Sequence, residues 1–337
     1  MNCSFRDWSM FMVNTNKTTM YLEQHDDIAS SLSINTVSLS VIMYIVSVAI
    51  VTPNLLLVWG IWRTNKKLNI TKILFVYHSL TNNIMGLVSL PYLSLAMRLG
   101  LDCRHMAVGN STGVFSIVVG NMTICQISFL RYLAITRPFK EIQRSLVIGA
   151  TVLQFAVALC ISAINYSANA ISVMLYPAQC VVSGTLICVC IFAAILWNSM
   201  SLIFIRKQKM VAADSRNNVS ARRNFKASRR LTCISVTIGI LFLPTAVSYI
   251  YIGVLLIRQQ IEAQLFVYLF DVGDLVFTPA LLCPGISAVV YIAWDDNIKK
   301  YYRRVLCCKS PAAVRGKSIH SINGDSIRLR KLKNLIR

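Results

Sequence analysis

Long apolar stretches, separated by short polar segments, dominate the hydrophobic pattern of this chain. Seven of these stretches are long enough to cross a bilayer as helices, because about 20 apolar residues span the hydrocarbon layer. They cover residues 36–62, 71–98, 106–136, 146–172, 183–205, 231–257 and 266–294. The pattern predicts an all-α membrane protein with a bundle of seven transmembrane helices.

The polar segments at both ends complete the predicted organisation. In residues 295–308, directly after the seventh stretch, apolar and basic positions recur at helical spacing. This pattern predicts a short amphipathic helix at the inner leaflet. Cys307 and Cys308 end this helix and are candidate palmitoylation sites. The chain is thus predicted to comprise a polar N-terminal segment, a transmembrane domain, a surface helix and a basic tail, at residues 1–35, 36–294, 295–308 and 309–337.

The charge distribution predicts the orientation of the bundle. Only 14% of the 337 residues are charged, yet the net charge is +21. Lysine and arginine crowd the segments after the first, third and fifth stretches and the C-terminal tail. The positive-inside rule therefore places the N-terminus outside and the C-terminus in the cytosol, and we expect a multi-pass protein of the plasma membrane. Nucleic-acid binding is disfavoured, because these basic clusters flank the membrane and suit anionic lipid and a cytosolic partner.

Two cysteines and two sequons fall on the predicted outer side. Cys103 and Cys180 lie where oxidation is possible, and we expect them to pair; the alternative is two free thiols. Asn2 and Asn16 begin glycosylation sequons. The cysteines inside the apolar stretches have no metal-ligand spacing, and no catalytic constellation is visible. We therefore expect neither an enzyme nor a bound metal or other cofactor.

Amides and a proline interrupt the apolar stretches. Asn54, Asn82 and Asn83 lie at mid-bilayer depth, where an amide is costly unless it is hydrogen-bonded, so we expect bonds between neighbouring helices. Pro244 removes one backbone hydrogen bond and predicts a kink about which the preceding part of its helix can swing. The region around Gly86 and Pro91 predicts a second helix distortion.

Four residues are candidate ligand contacts. Thr245 and Tyr249 follow Pro244 on about one helix face. Asp271 and Asp274 share a face of the seventh stretch, where they either reach outer water or contact a ligand. The sequence leaves both interpretations open.

Arg131 ends the third stretch. From Cys103 to Arg131 a helix spans about 42 Å, which exceeds the bilayer hydrocarbon of about 30 Å, so the two residues lie at opposite faces. Arg131 is either a boundary anchor that snorkels to the interface or a cytoplasmic switch that meets a signalling partner.

The residues around Arg131 carry a resemblance. The stretch Phe129-Leu130-Arg131-Tyr132-Leu133-Ala134-Ile135-Thr136-Arg137-Pro138, with the topology and the proline of the sixth stretch, resembles the rhodopsin-like (class A) G-protein-coupled receptors over about residues 36–308. The resemblance implies that Arg131, Tyr132, Arg137, Pro138 and Phe139 couple to a heterotrimeric G protein. It also implies an activation switch formed by Asn54, Asn82, Phe242, Pro244, Pro284 and Tyr291.

The chain also departs from the family pattern, which suggests a divergent orphan receptor. Leu130 replaces the acid that normally restrains the arginine, and no acid occurs between Asp214 and Glu262, so we expect raised basal signalling. Asn82 replaces the aspartate that would hold a sodium ion, so we expect agonist affinity to be insensitive to sodium. The stretch Ser287-Ala288-Val289-Val290-Tyr291 lacks the usual proline, which lies a turn earlier at Pro284.

The resemblance implies a receptor that binds an extracellular ligand and activates a G protein, with arrestin and receptor kinases as further partners. Retinal is excluded because no lysine lies between Lys226 and Lys299, and an amine is disfavoured because no acid lies between Asp102 and Arg131. A peptide or a small non-amine molecule remains. The alternatives are a seven-helix receptor that signals without G proteins and a transporter or channel-like protein.

Overall fold

The computed structural model describes residues 26–64, 69–99, 103–137, 143–170, 175–211, 219–258, 280–293 and 295–306. These residues are almost entirely helical. The helices are α1 (Asp26–Thr64), α2 (Ile70–Ile84), α3 (Leu90–Arg98), α4 (Cys103–Thr136), α5 (Arg144–Ala170), α6 (Tyr176–Val211), α7 (Val219–Ile257), α8 (Ala280–Ala293) and α9 (Asp296–Leu306). A π-helical segment, Met85–Ser89, joins α2 to α3.

Six of the predicted spans are confirmed as helices that are long and apolar enough to cross a membrane. They are Ser40–Thr64, Ile70–Ala96, Arg104–Thr136, Arg144–Ala168, Tyr176–Lys207 and Thr232–Leu255. In the seventh predicted span the structure describes only α8, which is apolar but shorter. The protein is therefore a multi-pass helical membrane protein.

The fifth span begins earlier than the apolar pattern predicts. The pattern starts at residue 183, whereas α6 begins at Tyr176. Pro177 is tolerated there because the first turn of a helix has backbone N–H groups without intrahelical acceptors. The added turns bring Gln179 and Cys180 into the helical bundle, where both side chains are buried.

The second span contains the distortion that its sequence predicts. The π-helical segment Met85–Ser89 includes Gly86 and immediately precedes α3, whose second residue is Pro91. A proline lacks the N–H for the regular ladder and displaces the carbonyl four residues earlier, which explains a wider turn at this point. The Ser47 hydroxyl of α1 donates a hydrogen bond to the Gly86 carbonyl.

The bundle is polar in places inside and apolar on its outside. α4 packs against α2, α5 and α6, and α6 packs extensively on α7. α5 directs large apolar side chains outward, and Leu146, Ile148, Val152 and Leu153 are all more than 60% exposed. Such a surface suits lipid rather than water. Several buried amides and hydroxyls, Asn54 and Asn198 among them, bond instead to neighbouring helices.

Close backbone approach fixes α8 against α1. A Cβ atom added to Gly285 would lie 2.5 Å from the carbonyl oxygen of Ala49. A larger residue cannot fit there unless one helix moves, because the atom that it meets belongs to the backbone. Small residues at such contacts are the usual means by which membrane helices approach each other closely.

The chain divides into two compact units, the first ending at Tyr291 and the second beginning at Ile292. The second unit contains α9, at the position where the sequence predicts an amphipathic helix. Asp295 caps it, because its Oδ1 accepts hydrogen bonds from the backbone N–H groups of Asn297 (2.9 Å) and Ile298 (3.2 Å). That α9 lies on the inner leaflet stays a prediction.

Candidate functional site

A cavity of about 50 Å³ lies inside the first unit, between the π-helical segment, α3, α4, α6, α7 and α8. Most of its wall is apolar and includes Met85, Val114, Ile117, Ile187 and Leu281. A space of this size admits water or a small group, and a larger ligand requires the helices to separate.

Several of the residues that line the cavity carry hydrogen-bonding groups. Asn110 of α4 and Gln179 of α6 contribute side-chain amides, and Ser183 contributes a hydroxyl. Gln179 Nε2 lies 3.3 Å from the Ser183 hydroxyl to which it donates, and Gln179 is only 3% exposed. Among the described residues that line the cavity, none carries a charge.

Three of the residues predicted from the sequence meet at this cavity. Phe242, Thr245 and Tyr249 of α7 all line it. Thr245 is 5% exposed, so its hydroxyl belongs to the interior of the bundle. Asp271 and Asp274 lie outside the described residues, and their role as ligand contacts stays a prediction.

A network of buried polar groups joins α1, α2 and α8. Asn54 Nδ2 donates to the carbonyl oxygens of Ile50 (2.8 Å) and Pro284 (3.1 Å). Asn82 Nδ2 donates to Asn54 Oδ1 at 3.4 Å. We call Asn54, His78, Asn82, Pro284 and Ser287 the Asn54 network. The structure therefore brings together three of the predicted switch residues, Asn54, Asn82 and Pro284.

His78 completes the Asn54 network and was not predicted from the sequence. His78 Nε2 lies 3.1 Å from Asn82 Nδ2 and 3.4 Å from the Ser287 hydroxyl. The signal was present, because His78 precedes Asn82 by four residues and so shares its helix face. Asn83 behaves differently from Asn82: it is buried, but its amide bonds to none of the described residues. Its expected role in bonding between helices is therefore not found.

The remaining predicted switch residues are Tyr291, Phe242 and Pro244. Tyr291 packs on Phe75 with 4.2 Å between ring centroids. Phe242 is buried at the cavity, and Pro244 lies inside the continuous helix α7. Sodium insensitivity, which rests on Asn82, stays a prediction.

Arg131 lies near the C-terminal end of α4, and we call this end of the bundle the Arg131 end. Arg131 is half-buried and its neighbour Leu130 is 6% exposed. Tyr132 packs on Trp197 of α6, with 5.1 Å between ring centroids, and Phe129 approaches the same indole at 5.1 Å. Tyr132 therefore helps to join α4 to α6.

Arg137 ends the helical part of this segment. Its side chain is exposed, and its backbone N–H donates to the Leu133 carbonyl. Pro138 and Phe139 lie outside the described residues. Their predicted contact with a G protein, like that of Arg131, Tyr132 and Arg137, stays a prediction.

A second buried polar contact lies one helical turn from Arg131. Asn198 Nδ2 of α6 donates to the hydroxyl of Ser128 on α4 at 2.9 Å and to that of Ser235 on α7 at 2.8 Å. We call these three residues the Asn198 node. The Asn198 node was not predicted from the sequence, although an amide inside the apolar stretch 183–205 is a visible signal.

The predicted pairing of Cys103 with Cys180 is not formed at Cys180, whose thiol is free and buried. Because α6 begins early, Cys180 lies inside the helix and packs with Ala168 and Tyr176. The side chain of Cys103 lies outside those that the structure describes. This corrects the expectation of a disulfide at Cys180. Asn2, Asn16, Cys307 and Cys308 lie outside the described residues, and their modification stays a prediction.

Comparison with known proteins identifies no family for this chain: no protein-family model matches it, and no curated protein matches it either. The class of protein therefore rests on the fold itself, a multi-pass helical bundle with six membrane-length helices in its described part.

Proposed function

We propose that this protein is a G-protein-coupled receptor of the plasma membrane, with its N-terminus outside and its C-terminus in the cytosol. One observation carries the proposal. Along α7, Phe242, Thr245 and Tyr249 line the cavity around Pro244, whereas Ser235 joins the Asn198 node beside Arg131. A single helix thus connects a candidate ligand cavity to a candidate coupling surface, with a proline between them.

The proposed mechanism is a shift of population between a closed and an open bundle. A ligand that enlarges the cavity repacks Phe242 and Tyr249. The part of α7 before Pro244 then moves away from α4, because a proline weakens the helix at that position. This movement opens a cleft at Arg131, Tyr132 and Arg137 for the G protein. The ligand drives it only as far as it binds the open bundle more tightly.

The lining of the cavity favours a small, uncharged ligand. The lining includes the amide residues Asn110 and Gln179, and the rest of the wall is mostly apolar. A buried charge without a partner is costly, so a cation or anion would need an opposite charge that the described lining does not supply. A peptide would require more space than this cavity offers, and Asp271 and Asp274 are its predicted contacts.

Nucleotide exchange in membranes tests the proposal. Wild type and Arg131→Ala are compared on a panel of heterotrimeric G proteins at equal surface level. Arg144→Ala is the matched control, since Arg144 is an exposed arginine at the start of α5 with no assigned role. We expect exchange above that of membranes without the receptor, lost in Arg131→Ala and kept in Arg144→Ala.

Equal loss in both variants would contradict a specific role of Arg131. If exchange is absent with every G protein while arrestin is recruited, the protein signals without G proteins, and the proposal is wrong on that point.

A further inference from the structure

The Asn198 node joins three helices through a single side chain. Both N–H groups of its amide are used, one toward Ser128 on α4 and the other toward Ser235 on α7. Asn198 and Ser128 are 0% exposed and Ser235 is 2% exposed. Water therefore does not compete for these bonds in this arrangement of the helices.

The packing of α7 against its two neighbours shows why these bonds matter. α7 packs extensively on α6 but contacts α4 much less. Along α6, a Cβ atom added to Gly184 would lie 2.7 Å from the Ala246 carbonyl oxygen, so α6 and α7 approach closely near the cavity. At the Arg131 end, Asn198 bonds both to α7 and to α4 and so links these two helices indirectly.

We propose that Asn198 is a positioning residue that holds α7 beside α4 at the Arg131 end, and that activation requires its bonds to Ser128 and Ser235 to separate. This inference rests on the proposed receptor function. Ser235 lies nine residues before Pro244, about 14 Å along the helix, so a small rotation at the proline moves it appreciably. Ser128 lies three residues before Arg131, which therefore becomes accessible as Ser235 departs.

The remaining atom of the amide favours two alternative states. Asn198 Oδ1 is buried and accepts no hydrogen bond from the described residues. An unsatisfied buried acceptor is costly, whereas in an open bundle water reaches it. In the closed bundle the Asn198 amide therefore donates two hydrogen bonds, but its oxygen accepts none from the described residues. In the open bundle the two donor bonds are lost and water bonds to the oxygen. An arrangement with opposing contributions of this kind is suited to a switch.

The node also supplies a restraint that does not depend on acids. The sequence places Leu130 where an acid would hold the arginine, and it predicts raised basal signalling on that ground. A neutral restraint on α7 works at a different point, because it limits the movement of the helix rather than the position of the guanidinium group. Breaking the node should then raise basal signalling above that of the wild type.

Three substitutions separate the two bonds. Asn198→Leu keeps the branching of the side chain, enlarges it and removes both bonds of the node. Ser128→Ala and Ser235→Ala each remove one bond of the node without adding volume, and Ser128→Ala also removes the bond of its hydroxyl to the Ile124 carbonyl of its own helix. Ser201→Ala is the matched control: Ser201 lies on the same helix, is 0% exposed, and its hydroxyl bonds to the Trp197 carbonyl of its own helix. The two serine variants keep the test decisive if Asn198→Leu does not fold.

The first readout is the separation of α4 and α7 in the purified full chain. Nitroxides are placed at Ala134→Cys and Arg229→Cys, two exposed positions, after replacement of the exposed Cys160 and Cys233. The cysteines whose side chains the structure does not describe are replaced as well, namely Cys3, Cys103, Cys307 and Cys308. Distance distributions are then measured by pulsed electron resonance. An interhelical hydrogen bond in a membrane bundle changes an equilibrium by about threefold. We expect the ratio of long to short separations to rise about threefold in each serine variant and about tenfold in Asn198→Leu.

The second readout is basal nucleotide exchange in membranes, which should follow the same order. An unchanged separation in Asn198→Leu and both serine variants, or an equal change in Ser201→Ala, would overturn the inference whatever the exchange. Wider separation without exchange on any G protein would support the positioning role of Asn198 and contradict the proposed receptor function. The two failures are thus distinguishable.

Discussion

Buried amides determine how the helices of this protein are joined, and they do so one residue at a time. Asn54 and Asn198 each make hydrogen bonds that reach a neighbouring helix. In an apolar environment these bonds cannot be exchanged for bonds to water, so the loss of one leaves its partner unsatisfied. Asn83 is equally buried but makes no such bond within the described residues.

This difference gives a prediction at the residue scale. Asn54→Ala removes the bond to the Pro284 carbonyl and the acceptor of Asn82, so we expect a loss of about 1 kcal/mol in stability. Asn83→Ala is the matched control and should cost less. Thermal unfolding of the two purified variants in detergent measures the difference. A larger loss in Asn83→Ala would show that the Asn54 network does not stabilise the bundle.

Asn82 carries a second prediction. Its amide has no negative charge to hold a sodium ion, and it is bonded to Asn54 and lies beside His78. Asn82→Asp adds a carboxylate at this position and should make basal exchange fall when sodium replaces a large organic cation at constant ionic strength. The wild type should respond equally to both salts. A sodium-dependent wild type would contradict this interpretation of Asn82.

The existence and the distortion of individual helices can be predicted from local features of the sequence. Apolar length predicts six of the membrane-length helices, because a helix satisfies its own backbone in lipid and needs no distant partner. Pro91 predicts the distortion of the second span, since the effect of a proline is local. The early start of α6 was missed, because the amide of Gln179 interrupts the apolar pattern although its side chain is buried.

Contacts between helices are less visible in the sequence. Ser128, Asn198 and Ser235 are far apart along the chain, and serine occurs so often in apolar helices that neither serine points to the other. Cys180 illustrates the same limit: its predicted pairing assumed a position in a loop, whereas the packing of α6 buries it. Thr245 and Tyr249 were predicted because their spacing after Pro244 is a local feature, whereas Phe242 was predicted only through the family resemblance.

At the scale of the elements, the contact of α8 with α1 can be tested by a pair of glycine substitutions. Gly285→Ala places a Cβ atom against the Ala49 carbonyl and should destabilise the protein by about 1–3 kcal/mol. Gly149→Ala, in α5, meets nothing within 4 Å and should be neutral or stabilising, since alanine favours a helix. The melting temperatures of the two variants are compared with that of the wild type. Equal tolerance would mean that α8 does not approach α1 as closely as described.

The orientation of the whole molecule follows from charge alone and has its own test. Asn16 lies on the predicted outer side, whereas the sequon at Asn218 lies in a basic segment on the predicted cytosolic side. Expression in mammalian cells should give a glycosidase-sensitive protein whose mobility shift is reduced by Asn16→Gln. The shift should be unaffected by Asn218→Gln. A mobility shift that is lost in Asn218→Gln would contradict the predicted orientation, because it would place Asn218 on the outer side.

In the proposed mechanism, the Asn198 node couples the cavity and the proline-containing helix α7 to Arg131. Its most direct test is nucleotide exchange on a G-protein panel by Asn198→Leu and by the double variant Asn198→Leu/Arg131→Ala, at equal surface level. We predict that Asn198→Leu exceeds the wild type about tenfold, since two interhelical bonds are lost, and that the added Arg131→Ala abolishes the increase. An Asn198→Leu protein that reaches the surface but catalyses no exchange on any G protein, or whose exchange survives without Arg131, would contradict the account.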